Sequence, residues 1–265
     1  VTIGSLFSGI GGLELGLERA GLGPVVWQCE RDPFARSILR KHWPDVPCVE
    51  DVHDVWAEPL ERAELICGGF PCQDVSAAGS GAGLAGARSG LWYEFLRVVD
   101  VHQPAVVVVE NVTSGQKRWL PHVLEGLEDL GYVCCPLVLP AGRVGAPHLR
   151  RRTFVVADTD GECLQLVKQW HEGRGHAVCD EGEAFAVDEG EARHASDASA
   201  WSAGPTLDGV GNGLSRGLDP AEYRSDRFRV LGNAVVPQCA EIIGRLILAA
   251  RSARPAEEAA AGGEK

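Results

Sequence analysis

Cys72 follows a proline in "LICGGFPCQ" (65–73), where an apolar run breaks at two glycines. A structural thiol is the plain reading of such a cysteine. Its surroundings favour another: Pro71 fixes the backbone before it, and the Gly/Ala/Ser stretch "QDVSAAGSGAGLAGARSG" (73–90) follows at once. Long loops of that kind in compact domains serve as lids or binding segments. A thiol at a strand end beside a lid is a candidate nucleophile. Glu110 and Asn111 end a second apolar run, "AVVVVENV" (105–112), and present a carboxyl on the same rim. Enclosure raises the pKa of such a carboxyl and lets it donate a proton near neutral pH. "PHLRRRTF" (147–154) is the densest basic spot of the chain; Arg150 and Arg152 alternate there and are expected to face the same way.

A third group of residues suggests a bound nucleoside. "FSGIGG" (7–12) follows the first apolar run and opens a helix, with glycines at 9, 11 and 12. It departs from the dinucleotide fingerprint, because Glu14 stands where the third glycine is expected and disfavours a pyrophosphate there. Glu30 ends the next strand, where an acidic residue can bind two ribose hydroxyls; otherwise it is a solvated carboxylate beside Arg31. Asp51 follows a short third strand and can receive an adenine amino group. Together these residues point to a nucleoside-containing cofactor without a pyrophosphate.

The elements that must position these groups alternate. Strands are expected over 1–7, 25–30, 64–69, 105–112 and 152–158, and helices over 13–21, 33–43, 90–103 and 120–131. The run "AVVVV" lacks polar alternation, as in a parallel strand buried on both faces. This succession predicts a doubly wound α/β sheet over residues 1–158. Residues 159–225 are acidic and rich in Gly, Ser and Ala, and read as a small loop-rich insert. Residues 226–252 return to the first domain through a Gly-Asn turn and an apolar helix over 237–252. Residues 253–265 read as a flexible tail.

Composition narrows the class. A net charge of -12 argues against a surface that coats nucleic acid, though a local basic cleft remains compatible with it. No charged then apolar leader opens the chain, and no apolar run approaches the ~20 residues that span a bilayer, so a cytoplasmic protein without a membrane partner is expected. Nine cysteines, an odd number with no CxxC pair, read as mostly free thiols, and no metal site is expected.

The ordered set "FSGIGG", Glu30, "GFPCQDVS", "ENV", "PHLRRR" and "RVLGNAVVP" resembles the C5-cytosine DNA methyltransferase family over nearly the whole chain except 159–225 and the tail. The resemblance implies a mostly parallel, Rossmann-like sheet and S-adenosylmethionine as cofactor, released as S-adenosylhomocysteine. By the same resemblance, Phe7 stacks near the adenine, Gly9, Gly11 and Gly12 line the methionine part, Glu30 holds the ribose and Asp51 the adenine. Arg31, Val52, Gly69, Pro71, Leu91, Asn233 and Ala234 are the other implied cofactor contacts. Cys72 is the implied nucleophile, Glu110 the acid, and Arg150 and Arg152 their basic partners. Arg152 contacts the base O2 and orients Glu110. Gln73, Ser76 and Asn111 lie on the side of the substrate, double-stranded DNA, whose target cytosine is flipped out of the stack. A monomer is the expected acting form.

Two departures stand out. His148 occupies the place where the family has glutamine, and the region that reads the DNA sequence spans only about 65 residues. Arg174, Arg193, Arg216 or Arg224 are its candidate base readers. The rivals are a tRNA cytosine methyltransferase of the same family, a non-catalytic cofactor-binding module, and a nicotinamide-dependent oxidoreductase; Glu14 disfavours the last.

Overall fold

The computed structural model describes residues 1–71, 90–146, 148, 150–172, 185–186 and 224–252. Among them, eight strands form one sheet: β1 (Ile3–Leu6), β2 (Val25–Cys29), β3 (Cys48–Val49), β4 (Leu65–Gly68), β5 (Val106–Val112), β6 (Val133–Pro140), β7 (Arg151–Asp158) and β8 (Phe185–Ala186). Their order is β3-β2-β1-β4-β5-β7-β6-β8. The helices are α1 (Gly12–Arg19), α2 (Pro33–His42), α3 (Gly90–His102), α4 (Gln116–Asp129), α5 (Glu162–Glu172), α6 (Arg224–Asn233) and α7 (Pro237–Ser252).

Neighbouring strands from β3 to β5 run parallel, whereas β7 is antiparallel to both β5 and β6. The chain builds outward from β1 to β3, then resumes on the other side of β1 with β4. The two turns leaving β1 and β4 therefore face each other across the point where the strand order reverses, which is where α/β sheets bind ligands.

The unbroken valine run of β5 serves two cores. Val106 and Val108 pack with Leu13 and Leu17 of α1, Val167 of α5 and Ile243 of α7. Val107 and Val109 pack with Trp92 and Phe95 of α3 and Trp119 and Leu120 of α4 on the opposite face. Alternate residues point to opposite faces, so a strand covered on both sides must be apolar throughout.

Three sequence expectations change. β6 was not anticipated, because Pro136 and Pro140 speak against an inner strand; its pairing with β8 begins only at Leu137, one residue past Pro136. The loop-rich reading from residue 159 does not hold for 162–172, which form α5 and bury Cys163 and Val167. The stretch containing "RVLGN" closes a helix, α6, rather than forming a free turn.

α7 was anticipated over the residues it occupies. A side chain on Gly16 of α1 would meet the Pro237 carbonyl oxygen at 2.2 Å and Ala240 Cβ at 2.4 Å, so glycine permits the two helices to touch. The 24-residue stretch Arg229–Ser252 is long and apolar enough to cross a bilayer by composition, against the expectation above. Its apolar face is spent inside: Ile243 and Ile247 are fully buried, about 1.5–3 kcal/mol each. This contact returns residues 234–236 to the start of α1.

Candidate active site

At the reversal point the backbone leaves β1 under tension. Phe7 adopts φ 55° and Gly9 φ 56°, and a left-handed phenylalanine is uncommon enough to mark a functional turn. Gly9 has open space where a side chain would project. Its N–H donates to Glu30 Oε2 at 2.7 Å, while Glu30 Oε1 accepts the Asp32 N–H at 2.7 Å. One carboxylate thus ties the β1 turn to the start of α2, and its remaining lone pairs face a cleft of about 340 Å³.

That cleft brings together Phe7, Gly9, Glu30, Arg31, Asp51, Val52, Gly69, Pro71, Leu91, Glu110, Asn111, Arg152 and Asn233. The sequence had marked all of these. Asp51 is braced: Oδ1 accepts the His53 N–H at 3.0 Å and lies 2.6 Å from His53 Nδ1, and these contacts lower its pKa. The dimensions and polarity fit a nucleoside.

The other end of the cleft is acidic and enclosed. β4 and β5 pair in parallel with Gly68 opposite Val109, which sets Gly69 beside Glu110. Glu110 is 6% exposed, and Arg152 Nε lies 2.8 Å from its Oε1 as an ion pair without hydrogen-bond alignment. Burial pushes its carboxyl up to about 7, against the opposing pull of Arg152 and then Arg150. Beside it, Asn111 Nδ2 donates to the Phe70 carbonyl at 3.2 Å, and Phe70 packs on Trp92 and Trp119. The backbone entering Pro71 and Cys72 is therefore anchored from β5. Cys72, Gln73 and Ser76 lie outside the described residues, as do Arg174, Arg193 and Arg216; Arg224 opens α6.

Several expected roles need correction. Gly11 does not face the cleft: a side chain there would strike the Trp43 ring at 2.3 Å, and its φ of 84° starts α1. Gly12 is small because the Val235 carbonyl oxygen would lie 2.3 Å from its Cβ. Gly12 and Ala234 instead line a side pocket of about 40 Å³. Arg150 does not share the position of Arg152; it donates to the carbonyls of Gly232 at 2.7 Å and Ala234 at 2.6 Å and so clamps the returning segment. Asn111 spends its amide on backbone, since Oδ1 also accepts the Val112 N–H at 2.8 Å. His148 is exposed and borders a different cavity, with Trp43 and Leu231. Glu14 is not at an open helix end but 0% exposed inside the fold.

Sequence reasoning missed the cleft residues Asp32, His53, Phe70, Arg229 and Val230. Arg229 of α6 pairs with Asp32, which caps α2 through the Ala35 N–H at 2.9 Å. Only the adjacency of α6 to the cleft reveals this pair; the "RFRV" run carries no motif of its own.

A parallel-sheet cleft at the strand-order reversal, with a ribose-type carboxylate at one end and an enclosed acid–arginine pair at the other, defines a nucleoside-cofactor group-transfer enzyme class. The model for the C-5 cytosine-specific DNA methylase family matches residues 1–176. The chain belongs to that family. Among its relatives, the type II methyltransferase M2.BsuMI of Bacillus subtilis (strain 168) is 34% identical over 161 residues, covering 58% of this chain and 41% of the relative. M.AquIA of Picosynechococcus is 34% identical over 189 residues, covering 63% of this chain and 75% of that protein. The chain spans 41% and 42% of the lengths of M2.BsuMI and of M.NgoFVII from Neisseria gonorrhoeae. The structure of the S. pombe Dnmt2 methyltransferase overlays with a TM-score of 0.51 at 19% identity, over 70% of this chain and 58% of that one, a likeness of fold.

Proposed function

We propose that this chain carries out transfer of a methyl group from S-adenosylmethionine to C5 of cytosine in double-stranded DNA. The observation that carries the reading is the enclosed Glu110–Arg152 pair, one residue from the Gly69–Pro71 approach to Cys72.

Cytosine C5 is a weak nucleophile. The Cys72 thiolate adds to C6 while protonated Glu110 donates to N3, so electron density collects at C5. S-adenosylmethionine, when bound, supplies a methyl carbon made electrophilic by its sulfonium. Glu110 then takes back the N3 proton as the C5 proton leaves and the Cys72–C6 bond breaks, restoring the aromatic ring. Arg152 holds the Glu110 carboxyl at the strand end and is placed to meet the base O2. Glu30 accepts ribose hydroxyls and Asp51 the adenine amino group. The cytosine atoms are unreachable in a stacked duplex, so the base must be extruded at a cost of roughly a few kcal/mol.

Single-base sequencing of cytosine modification in DNA from cells expressing the protein, with Cys72→Ala as control, tests the reading. Methylation in one sequence context that disappears in the control supports it. Unmodified DNA from cells with soluble, folded protein sinks it.

A further inference from the structure

Glu14 is the most deeply buried carboxyl group among the described residues that has no ion-pair partner, and the methyl-transfer chemistry gives it no task. It projects from α1 toward β1 and β2, at 0% exposure. Oε1 accepts from Gln28 Nε2 at 3.5 Å, the long limit of a hydrogen bond. The Ser5 and Ser8 hydroxyls also act on it, and no cation does. Oε2 has no hydrogen-bond partner. A buried carboxyl oxygen left in that state is costly, on the order of 1–3 kcal/mol. Glutamate in the middle of a helix that faces a core is a poor choice unless something completes it.

Glu14 borders the side pocket of about 40 Å³ together with Ser5, Ser8, Gly12 and Ala234. This pocket and the main cleft share Phe7, Gly9, Gly69, Glu110 and Asn233, so each opens onto the other at the turn leaving β1. Its size admits a small terminal group rather than a nucleoside. Its polar side chains are hydroxyls, an amide and carboxyls; an anion entering it meets Glu14 and Glu110 with no adjoining cation. A cation satisfies the orphaned oxygen.

We propose that Glu14 receives the ammonium group at the amino-acid end of the cofactor, in a side pocket opening from the nucleoside cleft. This rests on the methyltransferase reading given above. Glu14 is then a binding residue that selects ligands carrying the amino-acid end from those that stop at the thioether.

The test compares two ligands that share adenosine and a thioether. S-adenosylhomocysteine carries the ammonium; 5′-methylthioadenosine lacks the whole amino-acid end. Their binding to the full chain is measured by calorimetry for the wild type and for Glu14→Gln, which keeps shape and a neutral buried group. The expected result is S-adenosylhomocysteine weakened about ten- to a hundred-fold with 5′-methylthioadenosine unchanged, as for loss of a charged hydrogen bond. Unchanged binding of S-adenosylhomocysteine, as when the pocket holds only water, overturns the proposal. Equal weakening of both ligands also overturns it, since that marks a structural role. A wild-type protein that binds neither ligand sinks the methyltransferase reading itself, a result distinct from the other two.

Discussion

A Cβ atom built on Gly69 would lie 2.7 Å from Glu110 Oε2, closer than real side chains approach. The absence of a side chain on one strand end thus fixes where the carboxyl of the next strand can rest. Gly69→Ala is expected to displace that carboxyl while leaving the fold intact, because the crowded atom ends a side chain rather than the backbone. Methyl transfer should fall about 100-fold, the scale of an ångström-sized misplacement, with a small change in Tm. Single-turnover rates and a thermal melt read the two effects separately; equal activity would mean that Glu110 has room to adapt.

Glu110 couples activity to pH. Its carboxyl is raised to about 7, so the protonated donor is present below that value and is lost as pH rises through it. The rate should be level on the acid side of 7 with respect to this group and decline above. Glu110→Gln removes the transferable proton, and a loss of about 10²–10⁴ is expected.

Folding stability follows the same proton. A raised native pKa means that the folded chain binds more protons than the unfolded one between 4.5 and about 7. The contribution is fully present below 4.5 and lost as pH rises through 7, with a ceiling of about 3 kcal/mol. Urea unfolding at intervals across that window should show the slope in the wild type and its loss in Glu110→Gln.

Arg150 and Arg152 should fail in different ways. Arg152→Ala leaves the buried acid unpaired at the cleft and should reduce kcat. Arg150→Ala frees the carbonyls of Gly232 and Ala234 and should lower stability by about 2 kcal/mol and weaken cofactor binding, with a smaller effect on kcat. Melting temperature, cofactor affinity and kcat for both variants decide it.

Cys72→Ala is expected to abolish methyl transfer while cofactor affinity stays within a few-fold. Full activity in that variant would remove the covalent step from the mechanism.

How much of this was legible beforehand depended on range along the chain. The strand-to-helix turn at Phe7–Gly12, the valine run of β5 and the apolar repeat of α7 announce themselves locally, because a pleat or a helix imposes its period on the residues that form it. Glu30 and Glu110 were also readable, since both sit at strand ends where the sheet exposes its ligand side. What escaped was set by partners far away in sequence. Gly11 and Gly12 look like ligand glycines until Trp43 and Val235 are seen against them. Arg150 and Arg152 look equivalent until one is found on Glu110 and the other on the segment after α6. β6 was hidden by its prolines, and Arg229 by the absence of any motif around it.

The clamp from Arg150 to Gly232 and Ala234 also orders events during synthesis. The turn leaving β1 is among the first parts made, yet Asn233, which borders both the cleft and the side pocket, is made more than two hundred residues later. A nascent chain emerging from the ribosome can assemble β1 to β5 and hold a half-built cleft, but it lacks that wall until α6 and α7 have followed. The enzyme therefore matures at the close of translation, and a truncated product is expected to fold much of its sheet without gaining the power to mark DNA.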